Sequence, residues 1–243
     1  MTLQSVPALS LVANGILLLI ALIIPAGLFL FIRKRVEGKK LPFFVGCGTF
    51  LLFALVLEGL CHTIILGGGR AEALMAKPLL YGLYGGFMAG LFEETGRFLA
   101  FKTILKKSKD DDGTALMYGA GHGGFEAFYL LAVSAVTNLV LPSQTANPFY
   151  PLLGIIERIL AIAIHISLSV LVWFAAKNKD KLYLYPLAII LHLLVDAVAA
   201  VLALKKVNVV IIEFLVYVFV AAFVCIAILI WKKLSDTKES LSV

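Results

Sequence analysis

The most restrictive feature of this sequence is a succession of long, almost uncharged apolar runs. A helix crosses the roughly 30 Å hydrocarbon core of a bilayer when about 20 consecutive residues are predominantly apolar. Seven stretches meet that requirement, at approximately 9–32, 41–62, 78–101, 114–136, 151–175, 182–204 and 207–231. They are continuous rather than alternating, which selects helices over barrel strands. Hydrophobic residues make up 61% of the 243 and charged residues 15%, against roughly 45–50% and about 25% in a soluble domain. No water-soluble core could hide so much apolar side chain, and the same figures exclude disorder and a disulfide scaffold. The predicted fold is all-α: a polytopic transmembrane helical bundle of about seven spans, with residues 1–243 forming a single integral membrane domain. The first charged residue is Arg33, so run 9–32 is expected to be a retained first helix rather than a removable signal.

The net charge of +6 is explained by where the cations sit. Fifteen of the 21 Lys and Arg residues fall in segments 33–40, 102–109 and 177–181 and in the C-terminal tail. Only Arg70, Lys77, Lys205 and Lys206 lie on the opposite side. The positive-inside rule then predicts a cell-membrane protein with its N-terminus outside and its C-terminus cytoplasmic. The basic balance is thus a topology signal, and nucleic acid is not an expected partner; the bilayer is. Cys47, Cys61 and Cys225 lack metal-ligand spacing and read as small buried apolar residues. Loop 106–113, with Asp110, Asp111 and Asp112, reads as a solvated turn, and the uncharged loop 137–150 as an interfacial segment. Glycines crowd the third and fourth spans (Gly82, Gly85, Gly86, Gly90, Gly96; Gly119, Gly121, Gly123, Gly124), predicting close helix packing there.

Against this apolar background the polar residues stand out, because an ionisable group inside a bilayer is costly and defaults to a functional role. Thirteen occupy or border the spans: Glu58, His62, Glu93, Glu94, Arg97, His122, Glu126, Glu157, Arg158, His165, His192, Asp196 and Glu213. Glu93 and Glu94 precede Arg97 by four and three residues, so one helical face presents two carboxylates beside a cation. His122 with Glu126, and His192 with Asp196, are i,i+4 pairs; Arg158 and His165 are i,i+7. Counted from the nearest cytoplasmic lysine, Glu93, His122, His165 and His192 lie 9, 13, 12 and 11 residues in. At the helical rise this is roughly 14–20 Å, one layer near the membrane middle contributed by four helices.

Such a layer suits hydrolysis. A carboxylate can take a proton from water, and histidines can position that water or donate to a developing oxyanion. A metal is the competing use, since His-x3-Glu and His-x3-Asp each place two ligands on one face; the His-Glu-x-x-His signature is absent. Glu93 is 9 residues from Lys102 but 16 from Lys77, which predicts water access from the cytoplasmic side.

At these residues the sequence resembles the YhfC-type membrane peptidases, related to the PrsW and CAAX-protease-like group. Glu93-Glu94-Thr95-Gly96-Arg97 resembles the group's Glu-Glu motif followed by a basic residue, although CAAX proteases often have three intervening residues rather than two. His122-Gly123-Gly124-Phe125 resembles the PrsW His-small-x-Phe motif. His165 resembles a later helical histidine, and His192 with Asp196 the final His-x-x-x-Asp/Asn. The resemblance covers roughly residues 90–196, in motif order. It implies an intramembrane peptidase that hydrolyses a membrane-associated protein or peptide. Glu93 would be the base that activates water and Glu94 a second base or orienter beside Arg97. His122 and His192 would position water or stabilise the oxyanion, Asp196 would support His192, and Glu126, Arg158 and His165 would have supporting roles. The group contains metal-independent and metal-dependent members. The metal-free mechanism, with no cofactor, is the favoured expectation here. The alternative is a zinc-dependent metalloprotease with His122, Glu126, His192 and Asp196 as ligands.

Two readings of another class remain. A proton-coupled transporter could use the same carboxylates and histidines as a relay, though no inverted repeat is visible; a non-catalytic membrane protein would use them structurally. Glu58 and His62, an i,i+4 pair outside the matched motifs, read as a structural pair, and Glu213 has no assigned role.

Overall fold

A computed structural model describes residues 8–36, 40–108, 111–140 and 149–239. The described residues are helical and turn, with no strand. In chain order the helices are α1 (Ala8–Val36), α2 (Leu41–Leu66), the short α3 (Arg70–Met75), α4 (Pro78–Lys102), α5 (Gly113–Val140), α6 (Phe149–Lys177), α7 (Leu184–Leu204) and α8 (Val209–Glu239). Six of them (α1, α2, α5, α6, α7 and α8) are long and apolar enough to cross a membrane. The remaining long helix, α4, has 25 residues, about 37 Å at 1.5 Å per residue, which is enough length to span. Its apolar run is broken by Glu93, Glu94 and Arg97, all three buried inside the bundle. Six apolar helices plus this polar one agree roughly with about seven spans. Most of the predicted interfacial loop, residues 141–148, lies outside the described residues.

The glycines make close packing possible, but each helix uses them against its own set of neighbours rather than α4 against α5. On α4, Gly82, Gly86 and Gly90 meet Ala197, Leu193 and Ile189 of α7 in turn. Rising numbers on one helix against falling numbers on the other make the pair antiparallel. On α5, Gly119 and Gly123 meet Ile166 and Ile162 of α6, Gly121 meets Phe43 of α2, and Gly124 meets Pro25 of α1. Two of these glycines border histidines. A Cβ on Gly90 would stand 2.8 Å from the Ile189 carbonyl and 3.4 Å from His192 Cβ. One on Gly123 would stand 3.2 Å from His165 Cβ and Cδ2. Glycine there lets the two histidines lie against a neighbouring backbone.

The end of the bundle near Lys102 and Lys177 is filled. Phe101, Tyr118, Leu168, Leu171 and Trp173 are all at most 3% exposed, with Phe101 and Trp173 in edge contact at 5.1 Å. Asp112 closes this end and so departs from the expected solvated turn. It accepts from Trp173 Nε1 at 2.7 Å, pairs with Lys177, and accepts from Ser235 at 3.4 Å. One carboxylate at the start of α5 thereby gathers the ends of α6 and α8. At the opposite end, Asn138 of α5 donates to Asn14 of α1 at 3.1 Å.

Nothing in the sequence signalled the winding of α2. Residues Phe50–Glu58 form π-type turns, a geometry that is rare outside single bulges and is frequent at functional sites. The stretch buries Phe50 and Glu58, and Phe50 sets its ring edge-on to His122 at 5.3 Å.

Candidate active site

Adjacent positions on a helix diverge by about 100°, so Glu93 and Glu94 serve different partners. Glu93 Oε2 lies 2.8 Å from Nε2 of His122 and 3.8 Å from Nδ1 of His165. Glu94, fully buried, pairs with Arg97 through one oxygen and accepts from His192 Nδ1 at 2.9 Å through the other. The second ring nitrogen of His192 is 3.4 Å from Asp196. All six residues expected to be catalytic therefore stand in two adjoining polar groups, Glu93–His122 and Arg97–Glu94–His192–Asp196.

His165 bridges the two groups. Arg97 Nη2 lies 3.2 Å from His165 Nδ1. Because a guanidinium only donates, that nitrogen carries the lone pair and Nε2 the hydrogen. Nε2 lies against Glu126, which is paired in turn with Arg158; Arg158 also holds Glu157. The ring centroids of His165 are 4.8 Å from His122 and 5.6 Å from His192. Glu126, Arg158 and His165 are thus joined to the site as a supporting chain.

Among the described residues, one group has the disposition of a metal site. Glu93, His122 and His165, all buried, each offer a ligand atom, and the three atoms lie within 4.8 Å of one another. A carboxylate with two imidazoles is a donor set that suits a hydrolytic zinc ion. His165 has a carboxylate beside its far nitrogen, as metal-binding histidines commonly do. Its Nδ1, which faces Arg97 Nη2 here, would exchange that donor for the ion, and His122 Nδ1 is buried without a partner among the described residues. Of the ligands expected from sequence, only His122 is in this group. Glu126 is turned to His165 and Arg158, and His192 is held by Glu94 and Asp196. Tyr118 is a site residue that no sequence motif singled out. Its ring stacks against His122 at 6.0 Å and lies 5.9 Å from the Arg97 guanidinium, and its hydroxyl bonds Thr49. A signal was present: Tyr118, His122 and Glu126 form an i, i+4, i+8 stripe on α5.

A cavity of about 400 Å³ opens from Glu93, Glu126, His165, His192 and Asp196. It extends past Glu157 and Glu213 to Ala203 and Val209, which flank the Lys205–Lys206 turn. The cavity therefore lies toward the end of the bundle opposite the one that the spacing to Lys102 favoured. The Lys102 end is sealed by the aromatic core, and the space lies on the other side of Glu93. Distance along a helix does not reveal where such space is left; packing does. Glu213 contributes a carboxylate oxygen with no partner among the described residues. Across α7, a second chamber of about 390 Å³ is bordered by His62, Tyr81, Tyr84 and again Asp196. There His62 lies 3.0 Å from Glu58 and 2.8 Å from the Tyr84 hydroxyl, so the predicted Glu58–His62 pair is present.

Comparison with known proteins adds a family. The sequence model of the YhfC family, described as YhfC intramembrane metalloprotease, matches residues 20–149 and 142–220. The uncharacterized membrane protein YhfC of Bacillus subtilis (strain 168) is 36% identical over 74% of this chain and 80% of its own length. No solved structure matches.

Proposed function

The chain belongs to the YhfC family, and on that premise we propose that it is an intramembrane peptidase acting on a membrane-associated protein or peptide. The observation that carries this reading is the convergence of Glu93, His122 and His165, from three helices, with Glu93 and His165 on the wall of a cavity. Glu93, His122 and His165 would hold a divalent cation, with zinc the best fit to the donors. When bound, that ion would supply an activated water and polarise the scissile carbonyl. Glu126 fixes the tautomer and direction of His165. Arg97 balances the buried charge of Glu94, and Glu94 with Asp196 orients His192 at the cavity wall. From there His192 can donate to a developing oxyanion or pass a proton to the leaving amine. The proposal includes kinship with the PrsW and CAAX-protease-like groups, supported by the order of motifs from Glu93 to Asp196. It also places the N-terminus outside and the C-terminus in the cytoplasm of a cell-membrane protein, so that the cavity faces outward.

A second reading is favoured by the direct 2.8 Å contact between Glu93 and His122. In it Glu93 is the general base, His122 its acid–base partner, and no metal takes part. One experiment separates the two. New protein N-termini are mapped in membranes carrying the native chain or Glu93→Gln, and the purified proteins are assayed for metal. The first reading expects stoichiometric zinc in the native chain, lost in His122→Ala and His165→Ala and kept in His192→Ala, with cleavage lost on chelation. Undiminished cleavage by metal-free native protein, abolished in Glu93→Gln, moves the assignment to the second. Identical N-termini in both membranes, with proton-coupled flux in proteoliposomes, would replace peptidase by transporter.

A further inference from the structure

Outside the site, the bundle has an apolar groove between α6 and α8. Ala163, Ser167 and Val170 face Val224, Ala227 and Ile228 across a space of about 320 Å³ that ends at Trp231 and Lys232. Ala163, Ser167 and Val170 are i, i+4 and i+7, and Val224, Ala227, Ile228 and Trp231 are i, i+3, i+4 and i+7, so each helix contributes a single stripe. The small side chains of Ala163, Ser167 and Ala227 create the trough. Its hydroxyl, Ser167 Oγ, donates to the Ala163 carbonyl at 2.7 Å, leaving no polar demand on an occupant. Water would find no partner, and an extended peptide would leave backbone groups unpaired. A helix, about 10–12 Å across, could lay only one stripe of side chains over this space and would not fill it. A hydrocarbon chain meets every condition.

The ends of the groove identify the rest of the molecule. Lys232 is exposed and belongs to the end of the bundle where Arg33, Lys34, Lys102, Lys106 and Lys177 also stand. Trp231 beside it has the amphipathic ring that settles at headgroup level. In the orientation proposed above, on which this inference rests, that end faces the leaflet richer in anionic lipid. We propose that this groove binds one anionic phospholipid, with an acyl chain along Ala163–Val170 and its phosphate on Lys232.

The test is native mass spectrometry of the detergent-purified chain. Phosphatidylglycerol, phosphatidylcholine with the same acyl chains, and inorganic phosphate are titrated separately. One phosphatidylglycerol should be retained about fivefold more tightly than phosphatidylcholine, the increment expected for one surface cation; phosphate alone should not bind. Lys232→Gln should erase the difference between the lipids and leave phosphatidylcholine retention unchanged. Ile228→Trp, at a position 47% exposed and lining the groove, should weaken both; Leu229→Trp, 67% exposed and outside it, should weaken neither. Thermal melting checks that each variant folds. Should Ile228→Trp fail that check, the exposed Lys232→Gln carries the test. Equal retention of the two lipids by the native chain, phosphate binding as strong as lipid, or equal retention by the two Trp variants would each overturn the proposal.

Discussion

Glu126→Gln is the most informative single substitution for the metal reading, because it preserves shape and removes one charge. Glu126 touches two groups, His165 Nε2 and Arg158. The amide keeps the close contact with His165 but not its charge, and a polar contact to a charged group is worth about 1.5–3 kcal/mol against about 0.5–1.5 kcal/mol for a neutral one. The difference, about 1–1.5 kcal/mol, corresponds to roughly a tenfold effect. Carboxylates behind metal-binding histidines are typically worth about 10–100-fold in affinity, so zinc affinity should fall at least tenfold. Arg158 keeps Glu157 as a partner, and the bundle should stay folded. The assay is competition against a chromophoric chelator in detergent, with unfolding followed in parallel. Glu157→Gln is the control: its carboxylate pairs with Arg158 rather than with a histidine, and its side chain is 45% exposed. It should change zinc affinity less than threefold. An unchanged affinity in Glu126→Gln, or an equal loss in Glu157→Gln, would refute the role given to the Glu126–His165 contact.

Packing sets two further outcomes. Gly86→Ala places a methyl 2.5 Å from the Leu193 carbonyl, whereas nothing lies within 4 Å of a methyl at Gly85. Thermal unfolding in detergent should therefore register a loss of about 1–3 kcal/mol, the usual range for overpacking, for the first and almost none for the second. In a chain with Cys47, Cys61 and Cys225 replaced, Glu213→Cys should react with an impermeant thiol reagent from the side opposite the C-terminus. Leu171→Cys, fully buried, should be inert from either side; reaction of Glu213→Cys only from the C-terminal side would reverse the assigned access.

The helices and the polar stripe were legible because both depend on local properties. A span needs only sustained hydrophobicity over its own length, and i,i+4 neighbours share a face whatever surrounds the helix. That is why His122 with Glu126, His192 with Asp196, and the shared depth of Glu93, His122, His165 and His192 could be read from spacing. The divergence of Glu93 from Glu94 follows from helix geometry as well, yet their destinations do not. A sequence has no term saying that His122 takes one carboxylate and His192 the other.

Those destinations were decided by which helices adjoin, and in a bilayer the choice is weakly encoded. Lipid is as apolar as leucine, so partners are selected by close fit and polar contacts rather than by a hydrophobic drive. The seating of Gly90 on α7 and of Gly123 on α6 brings His192 and His165 inward. It is this fit that moves His165 from a supporting position into the group with Glu93 and His122. The same packing fills one end with Phe101, Tyr118 and Trp173 and leaves the cavity at the other. It also turns Asp112, indistinguishable in sequence from Asp110 and Asp111, into the anchor of two helix ends. The amino-acid sequence determined that this chain lives in a membrane and which faces are polar. Only the tertiary structure decided which polar groups meet and on which side of them the cavity lies, because those are relations between segments far apart along the chain.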